Sequence, residues 1–289
     1  MGSRPVKVLV TGSAGFLGRH ACAMFERQGH TVTGVDIRTG VDAHYIYDSA
    51  ETFDIVAHFA AIVGGRATID GDPLAVAQTT ALDVALFRYV QRTNPRHVIY
   101  PSSSAAYPIR YQQRTGHSAL REAFINLRKP ELPDAMYGWV KLTGEHLANR
   151  CDTTASIHII RPMSGYGTDQ DTTYPFGAFL ARARGKADPF TIWGDGTQVR
   201  DWVHVSDIMG AIAALIEQDY CKPINIGTGI GTDFTTLARQ MTAAHGYEPT
   251  LLTYPDKPTG VHYRVADVTE LHKVYIPKVT LADGIRAAL

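Results

Sequence analysis

The sequence predicts a doubly wound α/β fold, a parallel sheet with helices on both faces, carrying a smaller C-terminal α+β region. Three observations predict it. Short apolar runs alternate with helical periodicity through the first half. A glycine turn, Thr11-Gly12-Ser13-Ala14-Gly15-Phe16-Leu17-Gly18, joins the first apolar run directly to the first helical pattern. After Arg161-Pro162 the texture changes to Gly, Pro, Thr and aromatic residues. The expected division is therefore 1–164 and 165–289, with some later segments threading back onto the first part.

The elements follow in order. Val6 to Val10 is an apolar run broken only by Lys7, as expected for a strand buried on both faces. A helix is expected from about Phe16 to Gln28 and a second strand from Thr31 to Val35, ending at Asp36. Further strands are expected at Ile55 to Ala60, His97 to Tyr100 and Ile157 to Ile160, with helices at 73–91 and 136–150. In the second half, helices are expected near Phe176 to Arg184, Ile208 to Gln218, Thr235 to Ala244 and Leu281 to Leu289.

Composition bounds the function. The 289 residues are 45% hydrophobic and 19% charged, enough to bury a full core. Lys plus Arg equal Asp plus Glu at 28 each, so the electrostatic footprint of a general nucleic-acid binder is missing. The three cysteines lack CxxC spacing and fit a reducing compartment. The twelve histidines show neither HxH nor HExxH, so no metal site is expected. No apolar stretch is long enough to cross a membrane, and the opening MGSRPVKVLVTG has no secretory apolar core; a soluble cytoplasmic protein is expected.

Three motifs carry chemistry. The glycine turn offers Gly12, Ala14, Gly15, Phe16, Leu17 and Gly18 as a close-approach cradle, with helix N–H groups aimed at pyrophosphate oxygens. Asp36, closing the second strand, can accept both hydroxyls of an adenosine ribose and repel a 2′-phosphate, which selects NAD over NADP; Arg38 two residues on is the group that would accommodate a phosphate. Tyr137-Gly138-Trp139-Val140-Lys141 places phenol and ammonium on one helix face, Cβ atoms about 5–6 Å apart, and the ammonium is expected to lower the phenol pKa toward that of a general base. The same spacing also describes a surface Tyr–Lys pair. Ser102-Ser103-Ser104 follows a strand whose carboxyl end faces the ligand crevice of such a sheet, although serines there also serve as N-caps.

Taken together and in this order, these motifs resemble the extended short-chain dehydrogenase/reductase family of nucleotide-sugar epimerases, dehydratases and reductases. The resemblance covers essentially the whole chain. It includes His58-Phe59-Ala60-Ala61, Arg161-Pro162, the run Trp193-Gly194-Asp195-Gly196-Thr197-Gln198-Val199-Arg200-Asp201 and His204-Val205-Ser206-Asp207. It implies a Rossmann-type sheet and Ser103, Tyr137 and Lys141 as catalytic groups. Phe59, Ala60 and Ala61 join the cofactor site. Ser103, Ser104 and Ser164 face the substrate, and Arg200 binds its diphosphate, with Arg264 in a second such position. Relatives pair two helices per subunit, which implies a homodimer through 73–91 and 136–150.

Three departures bear on the reaction. Ser164 and Thr79 stand where many relatives carry asparagine. Ala61-Ile62-Val63-Gly64-Gly65 and Asp256-Lys257-Pro258-Thr259-Gly260 resemble the GDP-fucose synthase and GDP-mannose 3,5-epimerase branch, yet Ala105 stands where that branch has its acid/base cysteine. The family's 4,6-dehydratases place Asp-Glu after the serine; this chain has Ser104-Ala105. What remains is C4 chemistry: an NAD-dependent nucleotide-sugar 4-epimerase, with a 4-keto-sugar reductase as the alternative and a dehydratase, a decarboxylase or a non-catalytic dinucleotide sensor behind it. Trp193 and Trp202 are expected to pack, and Tyr166 either packs or lines the sugar pocket.

Overall fold

The first apolar run becomes β1 (Lys7–Thr11), and the glycine turn leads from it into α1 (Phe16–Arg27) and then β2 (Thr31–Val35). The computed structural model describes residues 5–64 and 66–289. The chain continues through α2 (Ala43–Asp48), β3 (Ile55–His58), α3 (Arg66–Gly71), α4 (Pro73–Ala77), α5 (Thr79–Thr93) and β4 (His97–Pro101). Next come α6 (Ala135–Ala148), β5 (Ser156–Pro162), β6 (Ser164–Tyr166), α7 (Pro175–Arg184), β7 (Phe190–Trp193) and β8 (Val199–His204). The last elements are α8 (Val205–Glu217), β9 (Ile224–Ile226), β10 (Gly231–Asp233), α9 (Phe234–Ala244), β11 (Leu251–Tyr254), β12 (Tyr263–Arg264) and α10 (Leu281–Ala288).

The main sheet is six-stranded in the order β2-β1-β3-β4-β5-β9, with every neighbouring pair parallel. This is a Rossmann-type α/β architecture. The strand order reverses beside β1, so the loops after β1 and β3 diverge and open a crevice at their carboxyl ends. Strand residues alternate between two cores, because successive side chains of a strand point to opposite faces. Val8, Val10, Ile55, Ala57 and Ile99 meet Phe25 of α1 and Ile208 and Ile212 of α8 on one side; Leu9, Val56, Val98 and Tyr100 meet Leu86 and Val90 of α5 on the other. A third core gathers Phe176, Phe179, Phe190, Ile192, Trp202, Phe234 and Met241 around the smaller sheet β10-β8-β12, to which β6 adds by pairing with β8.

Two expectations change. The single helix expected over 73–91 divides at Gln78, whose amide lies 3.1 Å from the Ala75 carbonyl and 3.3 Å from that of Leu74, a tightened turn that separates α4 from α5. The third strand stops at His58 rather than Ala60, since Phe59 and Ala60 turn into the crevice wall after one last bond from Phe59 N–H to the Thr11 carbonyl.

Helix α6 lies against the sheet through its glycines. A Cβ at Gly144 would sit 1.6 Å from the Tyr100 hydroxyl oxygen and 2.7 Å from Asp83 Oδ2; one at Gly138 would sit 2.4 Å from the Ala105 carbonyl oxygen. Two glycines inside a helix cost about 1 kcal/mol each relative to alanine. Close packing of α6 on β4 and on the segment after it is what they allow. Gly144→Ala is therefore expected to lower stability by about 1–3 kcal/mol in chemical denaturation, despite the better helix propensity of alanine. A stabilised variant would contradict this packing.

Candidate active site

A cavity of about 1220 Å³ occupies the carboxyl ends of β1, β3 and β4, walled on its other side by the region after residue 162. One end is built by the glycine turn. Gly12 adopts φ +69°, and a Cβ there would lie 2.5 Å from the Phe59 carbonyl carbon, so only glycine lets β1 and β3 approach this closely. Gly12, Gly15, Phe16, Leu17 and Gly18 line the cavity, as do Phe59, Ala60 and Ala61. Ala14 contributes its amide instead, donating to Asp36 Oδ2 at 3.0 Å. The α1 N-cap is Gly15, which puts no side chain over the first-turn N–H groups. That bare helix start is the donor set that anionic oxygens require.

Asp36 is buried at the end of β2. Burial works to raise its pKa, but the bonds from the Arg38 guanidinium and from the Arg38 and Ala14 amides outweigh it and hold the carboxyl below its ordinary value. Arg38 bonds through Nε and Nη2, both at 3.2 Å, while remaining largely exposed. The carboxylate thus occupies the guanidinium that sequence spacing left as a potential phosphate partner.

The candidate reactive side chains stand further along the same wall. Ser103, Tyr137 and Lys141 all line the cavity, and the Ser103 hydroxyl favours the phenolate form of Tyr137. Ser103 Oγ also accepts from the Ala105 amide at 3.1 Å, as the cap of a short 3-10 turn at Ser104–Ala106. Ser104 is buried in the same wall, whereas Ser102 points backward and donates to Glu145 Oε1. Position therefore separates the three serines: among them, Ser103 is the one whose hydroxyl acts on the phenol.

The electrostatics differ from the sequence expectation. The Tyr137 pKa is raised rather than lowered. Burial is the largest cause, the Asp83 carboxylate adds to it, and only the Ser103 bond opposes it. Lys141 lies 5.7 Å from the Tyr137 ring centroid and 5.2 Å from that of Tyr100, and is itself 3% exposed. Burial lowers its pKa, while Asp83 and Glu145 push it back up. The ammonium is thus counterbalanced by two carboxylates.

Asp83, which the sequence patterns did not single out, is the centre of this arrangement. It is fully buried on α5, accepts from the Tyr100 hydroxyl at 2.7 Å and lies 3.2 Å from His58 Nε2. Against burial, His58, Lys141 and Tyr100 hold its pKa low. Burial also lowers the His58 pKa, which keeps the ring neutral: Nε2–H donates to Asp83, and Nδ1 accepts from the Tyr47 hydroxyl at 2.6 Å. Thr11, one residue before the glycine turn, lies 3.0 Å from the same nitrogen. Glu145 in turn holds Arg161 through bonds of 2.8 and 2.7 Å. An aspartate in a helix without a periodic motif gives no sequence signal; its partners lie on β3 and β4.

The opposite wall carries the remaining candidates. Ser164, Arg200 and Arg264 all line the cavity. Arg200 and Arg264 are register partners on the adjacent strands β8 and β12. Arg200 is buried and bonds carbonyls of Val199, Thr259 and Val261, which fastens the 259–262 segment to the wall. Arg264 pairs with Asp134 at 2.8 Å and with Gln112 Oε1 at 2.6 Å, tying β12 to the start of α6. Thr79 accepts from the Ile62 amide at 2.9 Å and anchors the loop after β3. Tyr166 is fully buried against Phe176 and does not line the cavity, and Trp202 packs on Phe234 at its edge; Trp193 is 44% exposed rather than packed.

Residues 8–227 match the NAD dependent epimerase/dehydratase family. The chain belongs to that family. This member is an enzyme with NAD as its cofactor, and the glycine turn, the uncapped start of α1 and Asp36 are a cradle that fits it. The chain is 24% identical to a GDP-mannose 3,5-epimerase of Arabidopsis thaliana over 98% of its own length and 81% of the relative's. It is 26% identical to a GDP-L-fucose synthase of Azorhizobium caulinodans over 97% of this chain and 94% of that one. Its fold is similar to a UDP-glucuronic acid 4-epimerase of Bacillus cereus, solved with UDP-glucuronic acid and NAD, at TM-score 0.81 and 25% identity, covering 98% and 97% of the two chains.

Asp36→Ala is expected to raise NADP affinity relative to NAD by about tenfold or more, because it removes the repelling charge and releases Arg38 toward a 2′-phosphate. The dissociation constants of both cofactors, measured by fluorescence titration, check it. An unchanged ratio would show that Asp36 does not face the ribose.

Proposed function

We propose that this family member is a nucleotide-sugar 4-epimerase working through a transient 4-keto intermediate. The observation that carries the reading is the wall composition around Ser103 and Tyr137. Tyr137 and Ser103 both line the cavity there, and the two residues that follow Ser103 are Ser104 and Ala105, neither a carboxylate nor a thiol. A second acid/base pair of the kind that eliminates water or inverts C3 and C5 is not supplied by that segment. NAD supplies the hydride acceptor and donor for C4. Tyr137 takes the C4 hydroxyl proton as Ser103 holds the oxygen by a hydrogen bond. Lys141, 5.7 Å from the Tyr137 ring centroid, supplies a positive charge that favours the phenolate, against Asp83 and burial, which favour the phenol. The balance suits a group that must give its proton back to the other face of C4 after the 4-keto sugar has turned over in the cavity. Arg200 and Arg264, side by side on β8 and β12, are the diphosphate seat of this proposal, with Ser104 and Ser164 facing the sugar.

The likeness to GDP-L-fucose synthases supports one second reading, an NAD(P)H-dependent reductase of a 4-keto sugar nucleotide. Residues 1–164 would hold the cofactor and 165–289 the substrate, with α8 and β9 returning to the main sheet. Two copies would pair through α4–α5 and α6, whose exposed Leu74, Met136 and Trp139 support it. Among the described residues no helix is long and apolar enough to cross a membrane, and Cys22, Cys151 and Cys221 are all free thiols, which supports a place in the cytoplasm.

Four outcomes check this reading. Tyr137→Phe should lose about 10²-fold or more in turnover with NAD binding intact, whereas Arg200→Ala should weaken nucleoside-diphosphate binding by about 1.5–3 kcal/mol in calorimetry. Near-normal turnover in the first, or unchanged binding in the second, contradicts the corresponding assignment. Sedimentation equilibrium should read a dimer, and a monomer at micromolar concentration would remove the helix pairing. The reaction itself is tested with C4-deuterated UDP- and GDP-hexoses and catalytic NAD. An epimerase returns the hydride it removed, so the C4 epimer should form with its label retained. Silence with these substrates, together with one-for-one consumption of NADPH by a 4-keto sugar nucleotide, would establish the reductase instead.

A further inference from the structure

At the amino-terminal edge of the main sheet, on the side away from the cavity, three potential ligands converge. His97 opens β4, and His158 lies near the start of the neighbouring β5, where Ile99 is its register partner. Asp219 stands in the short link between α8 and β9 with a left-handed φ of +50°. One donor atom from each lies within 4.8 Å of the other two. We propose that His97, His158 and Asp219 form a binding site for a divalent transition-metal ion, with the exposed Cys221 thiol beside Asp219.

The geometry supports coordination at four points. His97 Nδ1 and His158 Nε2 are 3.0 Å apart, and His97 Nδ1 lies 3.9 Å from Asp219 Oδ1. An ion with bonds of about 2.0–2.2 Å to nitrogen and oxygen holds neighbouring donors roughly 3–3.5 Å apart, so small rotations of exposed Asp219 bring the set to that spacing. The His158 tautomer is fixed from behind. Its Nδ1 lies 2.8 Å from the Tyr220 carbonyl, which only accepts, so Nδ1 carries the hydrogen and Nε2 turns its lone pair toward His97. That backbone anchor on the far nitrogen is the arrangement that orients histidine ligands in metal sites. The side chains of His97 and Asp219 are 13% and 64% exposed, so an ion from solvent reaches the donors. Finally, Cys221 Sγ lies 3.8 Å from Asp219 Oδ1. Without an ion, a proton on His97 Nδ1 fills the gap between the rings; a metal replaces it.

Imidazole, carboxylate and thiol donors select zinc, cobalt, nickel or copper over magnesium or calcium. The bound ion would clasp β4, β5 and the link that feeds β9 into the sheet, a stabilising role remote from Tyr137. Sequence spacing hid the site because the two histidines are 61 residues apart and meet only through strand pairing.

The test uses the full chain, stripped with a chelator and dialysed. Calorimetric titration should show one Zn²⁺ bound per chain, Co²⁺ should develop the intense visible absorption of low-coordinate cobalt, and Mg²⁺ should do neither. His97→Gln and Asp219→Asn should each weaken Zn²⁺ binding by about tenfold or more. Asp219→Asn is a surface change that keeps a side chain tolerant of positive φ, so it tests the site without threatening the fold. No Zn²⁺ binding by the unmodified chain, binding unchanged in both variants, or equal binding of Mg²⁺ would each overturn the proposal.

Discussion

Burial of the Lys141 ammonium is the constraint around which the rest of this molecule is arranged. A charge removed from water is tolerated only when it is compensated, and breaking such compensation costs about 3–5 kcal/mol. Here the compensation comes from Asp83 on α5 and Glu145 one turn further along α6. Each carboxylate needs partners of its own. Asp83 finds Tyr100 and His58, and Glu145 finds Arg161 and Ser102, so the charge draws together α5, α6, β3, β4 and β5. The close approach this demands explains why α6 carries glycine where a Cβ would meet Tyr100 or the Ala105 carbonyl.

The same network joins the two ends of the cavity. From Lys141 it runs through Asp83 and His58 to Tyr47 and Thr11, the residue that precedes the glycine turn. The cofactor cradle and the catalytic helix are therefore braced against each other by buried polar contacts with few alternative partners, a condition under which such networks rigidify a site. It also sets the character of Tyr137. A phenol beside an uncompensated ammonium would be drawn toward phenolate; beside an ammonium matched by Asp83, and out of water, it stays protonated.

Much of this was legible in the sequence, for identifiable reasons. Uninterrupted apolar strands such as Val8 to Val10 and a glycine turn between strand and helix are local signals, and they located the parallel sheet and the cofactor end. Tyr137 and Lys141 are four residues apart on one helix, so their shared face followed from helical geometry alone. What was not legible is what strand pairing and interhelical packing create. Asp83 carries no motif, and its importance comes from Tyr100 and His58 on neighbouring strands. The field of Lys141 was misjudged because four-residue spacing reveals a neighbour but not the carboxylates behind it. Arg200 and Arg264 were found singly, and only the β8–β12 register sets them side by side. The helix break at Gln78 is similarly a matter of local bonding that composition does not mark.

Asp83 holds Tyr137 toward its phenol form while favouring the charged form of Lys141. The pH dependence of kcat/KM in the Asp83→Asn enzyme, compared with the unmodified one, tests it most directly. Asparagine keeps an acceptor for Tyr100 but removes the charge, so the restraint on the phenolate falls. The acidic limb attributed to Tyr137 should move to lower pH in the variant, while the NAD dissociation constant stays within about threefold. A limb that stays in place, or moves to higher pH, would mean that Asp83 does not govern the tyrosine and that the buried charge balance is structural alone.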